Sequence, residues 1–180
     1  MANVRFISDL HIGHRNMAQT RGFETAEEMD EYIVEKWNSV VNKKDITYLL
    51  GDVTMERKEG YKLLDRLNGL KYVILGNHDR RQDIPALLEH VHCVAGVINY
   101  KKYAILSHVP VHPRELDYRF KVNIHGHVHE NTIMETYWCH LDCVDKERPD
   151  PKYVNVSAEV IDYTPRLITE LCPGFNYKEN

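Results

Sequence analysis

Long apolar runs are missing from this sequence, and so is any excess of positive charge. No stretch of the 180 residues approaches the ~18 consecutive apolar residues of a membrane-spanning helix. The opening segment MANVRFISDL has neither the basic start nor the extended apolar core of a secretion signal, so a cytoplasmic location away from membranes is expected. Lysine and arginine number 23 against 27 acidic residues, a formal net charge of −4. That balance argues against a broad basic footprint for nucleic acid, while leaving room for a local basic rim. Cysteine is sparse: Cys93, Cys139, Cys143 and Cys172 suit a reducing compartment and give no disulfide framework. Cys139 and Cys143 with His140 between them form at most half a zinc site, and no second Cys/His pair follows at a suitable spacing. Internal repeats and low-complexity tracts are also absent. Histidine is abundant instead, at 11 residues gathered into a few short motifs.

The length fits one domain, residues 1–180, with a sizeable core. Short β-branched runs alternate with helical or polar stretches, the pattern of an α/β or α+β protein. Val4-Arg5-Phe6-Ile7 reads as the first strand. Thr25 and Glu28 form a Thr-x-x-Glu capping signal before a helix whose Met29, Ile33, Trp37 and Val40 make one apolar stripe. A second strand covers residues 46–50, and a helix is expected over 56–68, ending at Gly69. A third strand, 72–75, precedes a short helix at 84–90. Further strands are expected at 93–99, 103–107, 121–124, 153–156 and 166–171. Residues 130–151 are polar, contain Pro149 and Pro151, and predict an irregular flap.

Ligand-capable residues recur where apolar strands end: Asp9-x-His11, Gly51-Asp52, Gly76-Asn77-His78-Asp79, Ser107-His108 and Gly126-His127-x-His129. Each fragment alone is weak, because a strand-end Asp commonly caps a helix or starts a turn. Side-by-side strands, however, bring such tips to one sheet edge, where α/β proteins place their sites. In an extended segment alternate residues point the same way, so Asp-x-His and His-x-His could each aim both members at one point.

This ordered set resembles the signature of the calcineurin-like metallophosphoesterase superfamily, in particular its short prokaryotic and phage members. The resemblance runs from Asp9 to His129, about two thirds of the chain. It implies a four-layer α/β (α+β) fold, a β-sandwich of two mixed sheets flanked by helices. It also implies two divalent metal ions, with Mn²⁺ foremost and Fe, Zn²⁺ or Ni²⁺ as alternatives suited to these ligands. Carried over by motif position, Asp9, His11 and His129 hold one ion, Asn77, His108 and His127 hold the other, and Asp52 bridges. Only two of these ligands are carboxylates, so the loaded cluster keeps a charge of about +2. Such a centre attracts a phosphate anion and makes hydroxide available near neutral pH. His78 is then expected beside the ester, protonating the leaving oxygen, with Asp79 orienting its imidazole. His14, Asn77 and His78 are the expected substrate contacts.

The implied activity is hydrolysis of a phosphate ester. A diester is favoured, because no Arg or Lys cluster awaits a dianionic terminal phosphate; a nucleotide, a cyclic nucleotide or a nucleic-acid end would qualify. A phosphomonoesterase and a non-catalytic scaffold of the same fold are the alternatives. Residues 109–119 and 130–151 are the expected specificity walls. Arg80, Arg81, Arg114 and Arg119 read as solvated surface, and His125 as pointing away from the cluster or supporting it.

Overall fold

The computed structural model describes residues 2–55 and 58–175. In chain order it contains β1 (Val4–Ile7), α1 (Arg15–Thr20), α2 (Ala26–Val40), β2 (Ile46–Leu49), β3 (Leu70–Ile74), β4 (Cys93–Ala95), β5 (Ile98–Tyr100) and β6 (Ala104–Leu106). There follow β7 (Val122–His125), β8 (Met134–Cys139), β9 (Val144–Pro149), β10 (Tyr153–Asn155) and β11 (Arg166–Leu167). Five strands in the order β11-β1-β2-β3-β4 form one mixed sheet, parallel except for β11. Four strands in the order β10-β7-β6-β5 form the second, in which β5 alone runs antiparallel to its neighbour. Among the described residues no helix is long and apolar enough to cross a membrane.

Phe6 and Ile7 are adjacent on β1 and both fully buried, so both faces of that sheet are covered. One face meets the second sheet, where the rings of Phe6 and Tyr48 lie edge-on to Tyr100 at 5.3 and 5.8 Å. The other is closed by α2. Its Met29, Ile33 and Trp37 are fully buried in the same core, and each contributes about 1.5–3 kcal/mol by leaving water. Thr25 caps α2 by accepting the Glu28 amide at 3.1 Å, while Glu28 reaches back to the Glu24 amide at 2.7 Å. The Trp37 indole donates to the Asn68 carbonyl at 2.9 Å, fixing the end of the helix over the loop into β3. Two mixed sheets sharing one core beside helices are the sandwich that was expected.

Four expectations about elements need correction. Residues Lys58–Arg66 form a 3₁₀ helix rather than an α-helix, and the expected start at 56 lies outside the described residues. The apolar positions Tyr61, Leu64 and Leu67 explain this, since they recur every three residues, the 3₁₀ period. The single strand expected at 93–99 is two strands, β4 and β5, in different sheets, with the chain crossing at Gly96. The strand expected at 166–171 stops after Leu167. There the Glu170 carboxylate accepts the Leu167 amide at 2.6 Å and starts a helical turn at Ile168–Leu171. The irregular flap at 130–151 is largely the hairpin β8-β9, whose Thr136, Tyr137 and Trp138 favour a strand and whose Arg148 side chain pairs with Glu135 at 2.7 Å.

The two sheets are joined at one rim. Ser8 donates its amide to the Val156 carbonyl at 2.8 Å, and the Ala158 amide returns to the Ser8 carbonyl at 3.0 Å. Val156 in turn donates to the His125 carbonyl at 2.8 Å, and Gly126 to the His108 carbonyl at 3.0 Å. The chain leaving β1 is thus stitched to the chains leaving β10, β7 and β6. The parallel strands of both sheets end at this rim.

Candidate metal centre

Five donor-bearing loops meet where the sheets are stitched. Asp9, His11, Asp52 and His108 are buried there; His127 and His129 are half-buried, and Asn77 sits at the mouth. Donor atoms of Asp9, His11 and His129 lie within 4.8 Å of one another, and so do those of Asp9, Asp52 and His108. His11 Nε2 is 3.8 Å from Asp52 Oδ2, and His108 Nε2 is 3.4 Å from that same oxygen. Asn77 Oδ1 is 2.9 Å from His108 Nε2, and the His127 ring stands 5.1 Å from the His108 ring. All seven residues expected as ligands therefore converge. One detail differs from the carried-over pattern: Asp9, rather than Asp52, is the residue common to both donor groups, and the His127 amide donates to Asp9 Oδ2 at 3.0 Å.

The local backbone explains why the loops hold this shape. Asp9, His11, Asp52, His127 and His129 all have φ between 51° and 71°, the left-handed region. Such residues cost about 1–3 kcal/mol each and persist where the surroundings dictate them, commonly at functional sites. This also corrects the expectation for Asp-x-His and His-x-His. Their members converge because the chain turns left-handed after the strand, not because it continues extended. Two glycines allow the loops to touch. A Cβ on Gly76 would lie 2.2 Å from Asp52 Oδ1, and one on Gly126 would lie 2.1 Å from Asp9 Oδ2.

The donors suit a cation. Among the described residues neither ring nitrogen of buried His11 has a hydrogen-bond partner, and each such orphan costs about 1–3 kcal/mol. Burial pushes His11 down to about 3, so its ring stays neutral with a lone pair to offer. The His108 Nδ1–H donates to the Leu50 carbonyl at 2.8 Å, which turns the Nε2 lone pair toward the Asp52 carboxylate. Two acceptors facing each other need a positive charge between them, a metal ion or, without one, a proton on Nε2. Burial alone would lower His108, but the Asp52 hydrogen bond and charge outweigh it and hold its pKa above the usual histidine range. Burial likewise would raise Asp52, yet His108 brings it below the usual carboxylate range.

Several supporting residues lie outside the motifs. Glu159 Oε1 is 2.6 Å from His129 Nδ1, fixing the ring so that Nε2 faces the cluster, and this bond raises the His129 pKa. Arg21, its side chain 3% exposed, donates to Glu159 at 2.5 Å and to the Asp9 carbonyl at 2.7 Å. The Ser157 hydroxyl lies 3.0 Å from Asp9 Oδ2. The segment Tyr153 to Ser157 carries the same sequence signal as the motifs, an apolar strand with a polar tip. Nothing local marks Arg21, at the end of α1, or Glu159.

Asp79 does different work from that expected. Its carboxylate accepts the amides of Asp52 and Gly76 at 2.8 Å each and of Val53 at 3.1 Å, so it shapes the Asp52 loop. His78 donates its amide to Asp52 Oδ1 at 3.0 Å and its ring lies 5.9 Å from that of His11, within the site. His14 caps α1, with Nδ1 accepting the Met17 amide at 3.0 Å, and its ring is 6.0 Å from His11. Its ring hydrogen is therefore on Nε2 when the imidazole is neutral. His125 Nδ1 pairs with the Gly126 carbonyl at 2.9 Å and its ring stands edge-on to Tyr153, a supporting position. Arg80 pairs with Asp83 at 2.9 Å. Cys139 and Cys143 flank the hairpin turn and, among the described residues, join no metal-donor group.

No family model matches the chain. It is 35% identical over 170 residues to the uncharacterized protein MJ1445 of Methanocaldococcus jannaschii, covering 92% of this chain and 86% of that one. The Gene 66 protein of Mycobacterium phage L5 is 32% identical over 171 residues, covering 76% of this chain and 82% of the phage protein. Among solved structures, the protein of unknown function AQ665 from Aquifex aeolicus superposes with a TM-score of 0.70 at 25% identity, across 97% of this chain and 100% of its own.

Proposed function

We propose an activity for this chain, which belongs to the family of MJ1445 and the phage gene 66 proteins: metal-dependent hydrolysis of a phosphate ester, with a diester preferred. The observation that carries the reading is the convergence of Asp9, His11, Asp52, His108 and His129, from both sheets, into two overlapping donor groups held by left-handed loops. Two divalent ions in such a setting supply Lewis acidity toward the phosphoryl oxygens and lower the pKa of water toward ~7. Asp9, His11 and His129 would hold one ion, Asn77, His108 and His127 the other, with Asp52 between them.

The chain's own residues supply the rest. Asp9 and Asp52 bring the negative charge that retains the cations, and the neutral imidazoles leave the cluster cationic and receptive to an anionic ester. His14, through Nε2–H, is a hydrogen-bond donor at the edge of the cluster. His78, against His11, delivers the proton that the departing alkoxide needs. The nearby guanidinium of Arg21 is already paired with Glu159 and so is not set aside for the second charge of a monoester.

The test is a paired assay of bis(p-nitrophenyl) and mono(p-nitrophenyl) phosphate across Mn²⁺, Fe²⁺, Zn²⁺ and Ni²⁺. Faster diester hydrolysis is expected; His78→Ala, at unchanged metal content, should lose far more activity on a diester with an alkyl leaving group, which needs the proton, than on one releasing p-nitrophenolate, which leaves as a stable anion. Faster monoester hydrolysis would make the protein a phosphatase. Inactivity with every metal at full loading would favour a binding scaffold and end the catalytic reading.

A further inference from the structure

Among the described residues, two recesses flank the cluster, and they differ in chemistry. The first, of about 270 Å³, opens beside His129 and is edged by Thr20, Arg21, Glu130, Asn131 and Glu159. The second, of about 360 Å³, adjoins Asn77 and His108 and is walled by Leu75, Val97, Val109 and Val111, with no Asp, Glu, Lys or Arg in its lining. Val97 and Val109 hold it open to solvent at 56% and 49% exposure. Scattered exposed valines are ordinary; two that frame a hollow sharing two candidate metal ligands form part of the site.

Continuity with the cluster limits what can lie there. A phosphodiester seated on the donors has two substituents, and this hollow, which shares Asn77 and His108 with the cluster, is open to one of them. An aliphatic lining does not stabilise a charged substituent and suits an uncharged one. Gly96 contributes bare backbone, and a Cβ there would meet nothing within 4 Å, so the hollow has room for a group as large as a ring. Ser107 offers no reading group, because its hydroxyl donates to the Val109 carbonyl at 2.7 Å and accepts from Asn123 Nδ2 at 3.0 Å. His78 packs against His11 and is not among the residues lining this hollow, so the leaving oxygen is assigned to the His78 position and the retained arm to the hollow.

We infer that the recess beside Asn77 and His108 receives the retained arm of a phosphodiester when that arm carries an uncharged planar ring, selected by shape rather than by hydrogen bonds. The inference rests on the phosphoesterase reading and names its substrate class. The experiment holds the leaving group constant as p-nitrophenolate and varies the other arm: ethyl, phenyl or thymidin-5′-yl. Both ring esters should exceed the ethyl ester by about tenfold in kcat/KM, mainly through KM. Comparable phenyl and thymidine values mean that the ring suffices; a large excess for thymidine identifies a nucleoside arm. In Val109→Asp, and separately in Val97→Asp, the ratio of ring to ethyl esters should fall toward one. Equal rates for ethyl and ring esters in the parent protein would overturn the inference, as would variants that slow all three alike.

A second readout needs no turnover. In the zinc-loaded protein, methyl phenyl phosphate should shift the methyl NMR signals of Val97 and Val109, and dimethyl phosphate should not. Shifts without hydrolysis of any ester would remove the catalytic reading and keep the recess. Hydrolysis, or binding of methyl phenyl phosphate, with those methyls unmoved would do the reverse.

Discussion

Replacing Asp79 by alanine separates two jobs that the residue could hold, orienting the His78 ring or shaping the Asp52 loop. The structure assigns the second. Asp79 is buried, and its two oxygens accept the amides of Asp52, Val53 and Gly76. Without the carboxylate these donors lose their partner, and those of Asp52 and Val53 lie in buried residues that water reaches poorly. An unsatisfied buried amide costs about 1–3 kcal/mol, so two give a loss of about 2–6 kcal/mol. Part is recovered, because burial pushes the Asp79 carboxyl above the usual carboxylate range and its charge is therefore held at a cost. A net loss of about 2–4 kcal/mol follows, which for a chain of this size lowers Tm by roughly 5–15 °C. Asp52, no longer fixed, should also bind metal more weakly. The assay is thermal and urea unfolding of metal-free protein, together with metal content after dialysis. Asp79→Asn keeps one acceptor oxygen and should fall between. A Tm within about 2 °C of the parent, with full metal content and reduced activity alone, would refute this reasoning and return Asp79 to the His78 role.

Two other changes test the surroundings of the cluster. Glu159→Gln removes the carboxylate that orients His129 but keeps a polar partner for Arg21, and zinc affinity measured by competition should drop about 10- to 100-fold; unchanged affinity would mean that Glu159 only packs. Asp30 accepts the Gly13 amide at 3.0 Å, and burial raises its pKa to about 6. A carboxyl raised on folding contributes stability that is complete below the unfolded pKa, near 4, and lost as pH climbs through about 6. Asp30→Asn should therefore match the parent at pH 4 and exceed it by about 1–3 kcal/mol at pH 8, read from urea midpoints at each pH; a difference independent of pH would contradict it.

The site was more legible than its support. An Asp or His at the end of an apolar run can be read locally, and five such runs sufficed to collect Asp9, His11, Asp52, Asn77, His108, His127 and His129. The stripe Met29, Ile33, Trp37 likewise announced α2, and Tyr61, Leu64, Leu67 carried the 3₁₀ period in plain view. Arg21 and Glu159 were not legible, because they are separated by 138 residues and meet only after the two sheets are joined. The part Asp79 plays in the Asp52 loop was missed for a related reason. Its sequence neighbour is His78, whereas two of its three amide partners lie 26 and 27 residues earlier. The left-handed turns escaped notice because Asp and His carry no glycine-like marker for that conformation.

The bridge between Ser8 and Ser157 has a consequence for how the protein would meet its ions. A cleft whose walls could swing apart would need the cations to draw it shut, and would lose its form without them. Here the walls share a seam of main-chain hydrogen bonds directly beneath Asp9, so the spacing of the donors is a property of the polypeptide itself. Ions arriving at this rim would dock into a mould that is already set.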